Sequence, residues 1–128
     1  MYCIVLYFNI PLYCKINDMN VENTKKQMRK GVLELCILAI MSEGEAYPSD
    51  IIMKLKESEL IVKEGTLYPL LTRLKNAELL HYNWRESTSG PPRKYYYVTD
   101  QGKEFLNELW GVWSTLVTAV DQATSKIS

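Results

Sequence analysis

From Lys30 onward, apolar residues recur at helical spacing. Leu33, Ile37, Ile40 and Met41 fall three and four apart, with Leu35, Cys36 and Leu38 thickening the stripe. The pattern predicts a first helix over about 30–42 with one buried face. Ser42-Glu43-Gly44 ends it, and Gly44 suits a C-terminal cap. Tyr47-Pro48-Ser49-Asp50 opens a second helix: proline is tolerated in a first turn, and the Asp50 carboxylate favours the positive end of the dipole. Ile51, Ile52 and Leu55 form its apolar side, and it ends near Ser58. A third helix over about 63–77 places Leu67, Leu70, Leu71 and Leu74 within an arc of about 100°. Gly65, Pro69, Thr72 and Asn76 lie opposite, flanked by Thr66, Tyr68 and Arg73. A proline in mid-helix costs roughly 3 kcal/mol. Either the helix starts near Thr66 or an irregular turn precedes it, and the irregular start is expected.

The pattern then changes period. Leu80–Glu86 and Arg93–Val98 are rich in aromatics and predict two strands, joined by the turn-forming run Ser87-Thr-Ser-Gly-Pro-Pro92 as a six-residue tip. Thr99 is a good N-cap for a last helix over about 100–125, with Asp100 in its first turn. Along that helix Leu106, Leu109, Trp113, Leu116, Val120 and Ala123 are spaced 3, 4, 3, 4, 3, which is a heptad seam; Trp110, Val112 and Val117 widen it.

Three short helices, a hairpin and a long amphipathic helix predict a mainly α fold with a small β-hairpin (α+β). The arrangement is a winged helix-turn-helix with a long C-terminal dimerisation helix. Residues 1–24 read as an N-terminal extension, 25–99 as the DNA-binding domain and 100–128 as the dimerisation helix. The first eighteen residues begin apolar, but Asn9 and Pro11 interrupt them and no positive n-region precedes. They read neither as a secretory signal nor as a bilayer span. They are a disordered or loosely docked extension or translated upstream sequence with Met19 as the start. The second reading is preferred, because the patterned sequence begins just after Met19.

Composition narrows the function. The 128 residues fit one ordinary globular domain, 47% hydrophobic and 23% charged. The net charge of zero argues by itself against a nucleic-acid binder. Residues 25–94, however, carry twelve Lys/Arg against nine Asp/Glu, a mild positive bias that permits a basic face. Cys3, Cys14 and Cys36 form no C-x-x-C pair and His81 is the sole histidine, so a protein zinc site and a disulfide framework are not expected. Cys36 reads as buried and inert, and a reducing cytoplasm is the natural compartment. No cofactor motif occurs. No motif places a nucleophile beside a base, and Glu34, Glu43 and Glu45 read as solvated helix-end charges, so an enzyme is not expected.

The outer face of the third helix offers hydrogen-bonding groups of the kind that read base edges: Thr66, Thr72 and Asn76, with Arg73 able to reach a guanine or a phosphate. Alternatively it is a plain solvated face. Gly90 in the hairpin tip permits close approach, and Arg93 and Lys94 follow it directly; they suit backbone contact, or else guard a strand edge. Lys25, Lys26, Arg29 and Lys30 form a basic run, either a solvated terminus or a phosphate contact. Leu106, Leu109, Trp110, Trp113, Leu116, Val117 and Val120 would pair with a second copy and present two recognition helices to a palindrome; otherwise the helix packs back on its own domain.

Gly65-Thr-Leu-Tyr-Pro-Leu-Leu-Thr-Arg-Leu74 closely resembles the recognition-helix motif of the PadR family of bacterial repressors. Gly90-Pro-Pro-Arg-Lys-Tyr-Tyr96 resembles its wing and Val98-Thr-Asp-Gln-Gly102 the start of its last helix. Arg29–Leu35 and Ala46-Tyr47 are similar to its first helix and the start of its second. The likeness spans about 28–123 and implies a homodimeric repressor of double-stranded DNA, of the compact type with one C-terminal helix. It implies operator contact at Tyr47, Thr66, Tyr68, Arg93 and Lys94; Lys63 and Gly65 are candidates beside them. Some compact members hold flat aromatic ligands against a tryptophan, and Trp113 matches that position, where a packing role is the alternative. Asn76-Ala77 stands where a glycine is commoner in the family. A winged-helix adaptor that binds protein rather than DNA is the competing function.

Overall fold

The structure, a computed structural model, describes residues 20–127; the expectations for the first eighteen residues lie outside that range. Its elements are α1 (Val21–Met41), α2 (Pro48–Glu57), α3 (Glu64–Asn76), β1 (Leu80–Ser87), β2 (Gly90–Val98) and α4 (Asp100–Ala123). Among the described residues no helix is long and apolar enough to cross a membrane. Among the described residues, those up to Leu33 and those from Glu34 onward belong to two compact units.

In the first unit, α1 begins well before the predicted Lys30. Asn20 Oδ1 accepts a hydrogen bond from the Asn23 backbone N–H at 2.8 Å, and Glu22 occupies the first turn. An asparagine cap and an acid at the positive end start a helix without any apolar periodicity. The basic run is therefore helical, with Lys25, Lys26 and Lys30 exposed and Arg29 half-buried.

In the second unit the core is apolar throughout. Ile37, Leu38 and Met41 of α1, Ile51 and Leu55 of α2, Leu67, Leu71 and Leu74 of α3, and Leu80, Tyr96 and Val98 of the hairpin are buried. Each fully buried aliphatic side chain stabilises the fold by about 1.5–3 kcal/mol. Leu70, predicted on the same arc of α3, is half-buried. Cys36 is half-buried rather than buried, and that partial burial raises its thiol pKa.

The helix α1 ends at Met41, and Gly44, with φ of 156°, lies in the turn beyond it. The helices α2 and α3 both close with the hydrogen-bond pattern of a Schellman motif. The N–H groups of Glu59 and Leu60 donate to the Lys56 and Leu55 carbonyls, and those of Glu78 and Leu79 to the Lys75 and Leu74 carbonyls. Glu59 and Glu78 consequently hold φ near +62° and +63°. The expected irregular start of α3 is not found: the helix is continuous from Glu64 and carries Pro69 inside it. The bond Pro69 forfeits is to the carbonyl of Gly65. Gly65 is exposed, so the residue that loses this bond lies at the surface and not in the core.

The hairpin is tighter than predicted. Its strands are antiparallel and pair from Leu80↔Val98 to Ser87↔Gly90, leaving Thr88 and Ser89 as the turn. The register shifts between Arg85 and Ser87, where Glu86 lies opposite both Pro91 and Pro92. Prolines carry no N–H for the ladder, so a bulge is where a strand accommodates them. Behind the hairpin, Thr99 caps α4: its Oγ1 accepts from the Gly102 N–H at 3.0 Å and donates to the Glu78 carbonyl at 2.7 Å.

Candidate nucleic-acid interface

The candidate site is assembled from three elements. Ala46 and Tyr96 exchange backbone hydrogen bonds of 3.0 and 2.9 Å, an isolated antiparallel bridge that ties the loop before α2 to the free edge of β2. The Asp50 carboxylate accepts from the Tyr47 N–H at 3.1 Å and fixes the first turn of α2. Tyr47 is therefore held beside the hairpin. Its ring stands edge-on to Tyr95 with centroids 4.3 Å apart, Arg93 sits 5.5 Å over it, and Arg85 lies 4.0 Å over Tyr95. Glu45 pairs with Arg85 and closes the stack. Exposed cation–π contacts contribute about 0.5–1 kcal/mol each, so the group orients side chains more than it stabilises the fold.

Between α3, the start of α2 and the hairpin runs an open groove of about 490 Å³. Glu64, Tyr68 and Thr72, four apart on α3, form one wall, and Trp84, Arg93, Lys94 and Tyr96 form the other. Tyr47, Pro48 and Ser49 close one side. Arg93 and Lys94 are adjacent in sequence but belong to opposite faces of β2. Lys94 reaches to 4.6 Å over Tyr82 and 5.5 Å over Trp84, so each cation is steered by its own aromatic partner. Burial, followed by the nearby Tyr82 and Tyr68, raises the Tyr96 phenol above its ordinary pKa.

Five of the expected contact residues, Tyr47, Tyr68, Thr72, Arg93 and Lys94, therefore meet in one groove. Gly65, Thr66 and Asn76 are exposed on α3, and Lys63 just before it, all outside the groove, and Gly90 is exposed at the hairpin tip. Arg73 is turned another way: its guanidinium pairs with Glu34 of α1 at 3.1 Å. Sequence reasoning missed Glu64, Pro48, Ser49, Trp84 and Tyr96 as groove residues. Strand alternation puts Trp84 on the face of buried Leu80, which suggests core; it stands past the end of the core and is 61% exposed.

The predicted seam on α4 is uncovered toward its C-terminal end. Leu106, Leu109 and Trp113 are half-buried, whereas Trp110, Leu116, Val117 and Val120 are exposed.

Comparison with known proteins agrees with this architecture. The profile of the transcriptional regulator PadR-like family matches residues 37–108. A PadR-like transcription factor from Bacteroides fragilis is 59% identical, aligns 79% of this chain with 98% of its own and superposes with a TM-score of 0.68. A PadR family regulator from Eggerthella lenta is 30% identical over 88% of this chain and 98% of its own, with a TM-score of 0.77. An uncharacterised protein of Lysinibacillus sphaericus is 30% identical over 95 residues, 72% of this chain and 87% of its own. The winged-helix architecture, with α3 and the hairpin flanking one groove, and the family match lead to one conclusion: the chain belongs to the PadR-like family of transcriptional regulators.

Proposed function

We propose that this protein is a cytoplasmic, homodimeric transcriptional repressor of a palindromic operator. In this reading α3 enters the major groove, about 12 Å wide and open to one helix. The hairpin follows the adjacent backbone with Arg93 and Lys94, and Gly90 at its tip permits close approach. Thr72, Thr66 and Asn76 read base edges, Lys63 and Gly65 approach the backbone, and Tyr47 and Tyr68 contact the operator from the groove. Arg73 reaches the DNA by exchanging Glu34 for a phosphate or a guanine.

The observation that carries the reading is the groove itself, with the outer flank of α3 on one wall and two cations of the hairpin on the other. The exposed end of the α4 seam supports the dimer, because large apolar side chains left wet along one helix favour association. The seam comprises Leu106, Leu109, Trp110, Trp113, Leu116, Val117 and Val120. A flat aromatic effector stacked on Trp113 would then sit at the dimer axis and couple ligand binding to operator release.

Selection of bound duplexes from a random pool tests the proposal. A two-fold symmetric motif is expected, with half-sites about 34–36 Å apart or a multiple of that spacing. Recovery of no motif, together with salt-insensitive binding, would favour the adaptor reading instead.

A further inference from the structure

Glu64 is the acid in a groove whose other charged residues are Arg93 and Lys94. It occupies the first turn of α3, is exposed, and makes no ion pair among the described residues. It shares its flank of α3 with Tyr68 and Thr72, four and eight residues on. The neighbouring cations thus leave this carboxylate free, at the end of the recognition helix that lies nearest the base edges in helix-turn-helix complexes.

A carboxylate in that place is repelled by phosphates and accepts hydrogen bonds without donating any. Its productive partner in a major groove is an exocyclic amine. Cytosine presents its N4 amine there; adenine presents its N6 amine beside the N7 acceptor, which repels a second carboxylate oxygen; guanine and thymine offer no amine donor.

Resting on the proposed DNA-binding function, we infer that Glu64 is a specificity-determining residue that selects cytosine at one position of each operator half-site. The same charge weakens attachment to every other sequence, so it trades general affinity for discrimination. A residue that serves only the helix dipole would select no base.

The test compares motifs selected from one random pool by the wild type, Glu64→Gln and Glu64→Ala, with affinities measured on the winning duplex and on unrelated DNA. The wild-type motif is expected to hold an invariant cytosine in each half-site. Glu64→Gln, whose amide both donates and accepts, should shift that position toward adenine. Glu64→Ala should leave it degenerate, lose roughly tenfold on the winning duplex and bind unrelated DNA more tightly than the wild type does. Thermal melting of each variant accompanies the selection. A lowered melting temperature with an unchanged motif assigns Glu64 to the dipole and overturns the inference alone. A wild type that selects no motif overturns the DNA-binding reading and this inference with it.

Discussion

Gly102 decides how α4 leaves the hairpin. A β-carbon there would lie 2.2 Å from the Leu79 carbonyl oxygen and 2.7 Å from Val98 Cγ1, and the nearer atom is backbone that has no rotamer to escape into. Replacing a helical glycine by alanine ordinarily stabilises by about 0.5–1 kcal/mol. At Gly102 the sign reverses: Gly102→Ala should cost about 1–3 kcal/mol through overpacking, visible as a lower denaturation midpoint, while Gly31→Ala, in open space on α1, should raise it. Equal shifts in the two variants would refute the close approach. The Schellman caps give the opposite case. Glu59 and Glu78 hold left-handed backbone that costs an L-residue roughly 1–2 kcal/mol. Glu59→Gly and Glu78→Gly should each stabilise by about 0.5–1 kcal/mol once glycine's greater freedom in the unfolded chain is deducted. Glu78→Gln serves as the control: if it stabilises as much, charge and not backbone conformation is the cause.

Each element was legible from the sequence where one signal dominated. The leucines of α3 and the Thr99 cap predicted their helices closely, because burial and capping at those places do not compete with anything else. The start of α1 was hidden because Asn20 caps a turn that has no apolar face. The continuity of α3 was hidden because the bond that Pro69 forfeits falls on Gly65, which turns out to be exposed. The hairpin tip was misjudged because Pro91 and Pro92 read as loop, yet sit in a bulge that β2 accommodates. The groove was half legible: α3 and the wing declare themselves by motif, but the bridge of Ala46 to Tyr96 pairs residues fifty apart with no local pattern. The wing itself is testable as a unit. If a dimer neutralises about six phosphates, log K should fall with log salt at a slope near −5. Replacing Arg93 and Lys94 together by alanine should weaken binding to all sequences and flatten that slope by about one for each phosphate no longer neutralised. A slope unchanged in titrations from low to moderate salt would remove the hairpin from the interface.

For the molecule as a whole, a net charge of zero means that long-range attraction to DNA is weak, so affinity has to come from placement. One winged domain reads few base pairs, and two domains joined rigidly gain from mutual effective concentration without any new interaction. The helix α4 has the surface for that joining: past Trp113 its seam residues Leu116 and Val120 are about half exposed, and nothing else among the described residues covers them. Charging the seam at those two positions separates joining from folding, since both lie beyond the core of the winged domain. The variant carrying Leu116→Glu and Val120→Glu should keep the wild-type circular dichroism of the domain and sediment as a monomer at micromolar concentration, where the wild type should sediment as a dimer. On a single half-site its affinity should match the wild type. On the full palindrome it should fall by about 10²–10⁴, the range that linking two modules supplies. A wild type that is already monomeric, or a charged variant that still dimerises, would show that α4 is not the joint and that its seam serves the fold alone.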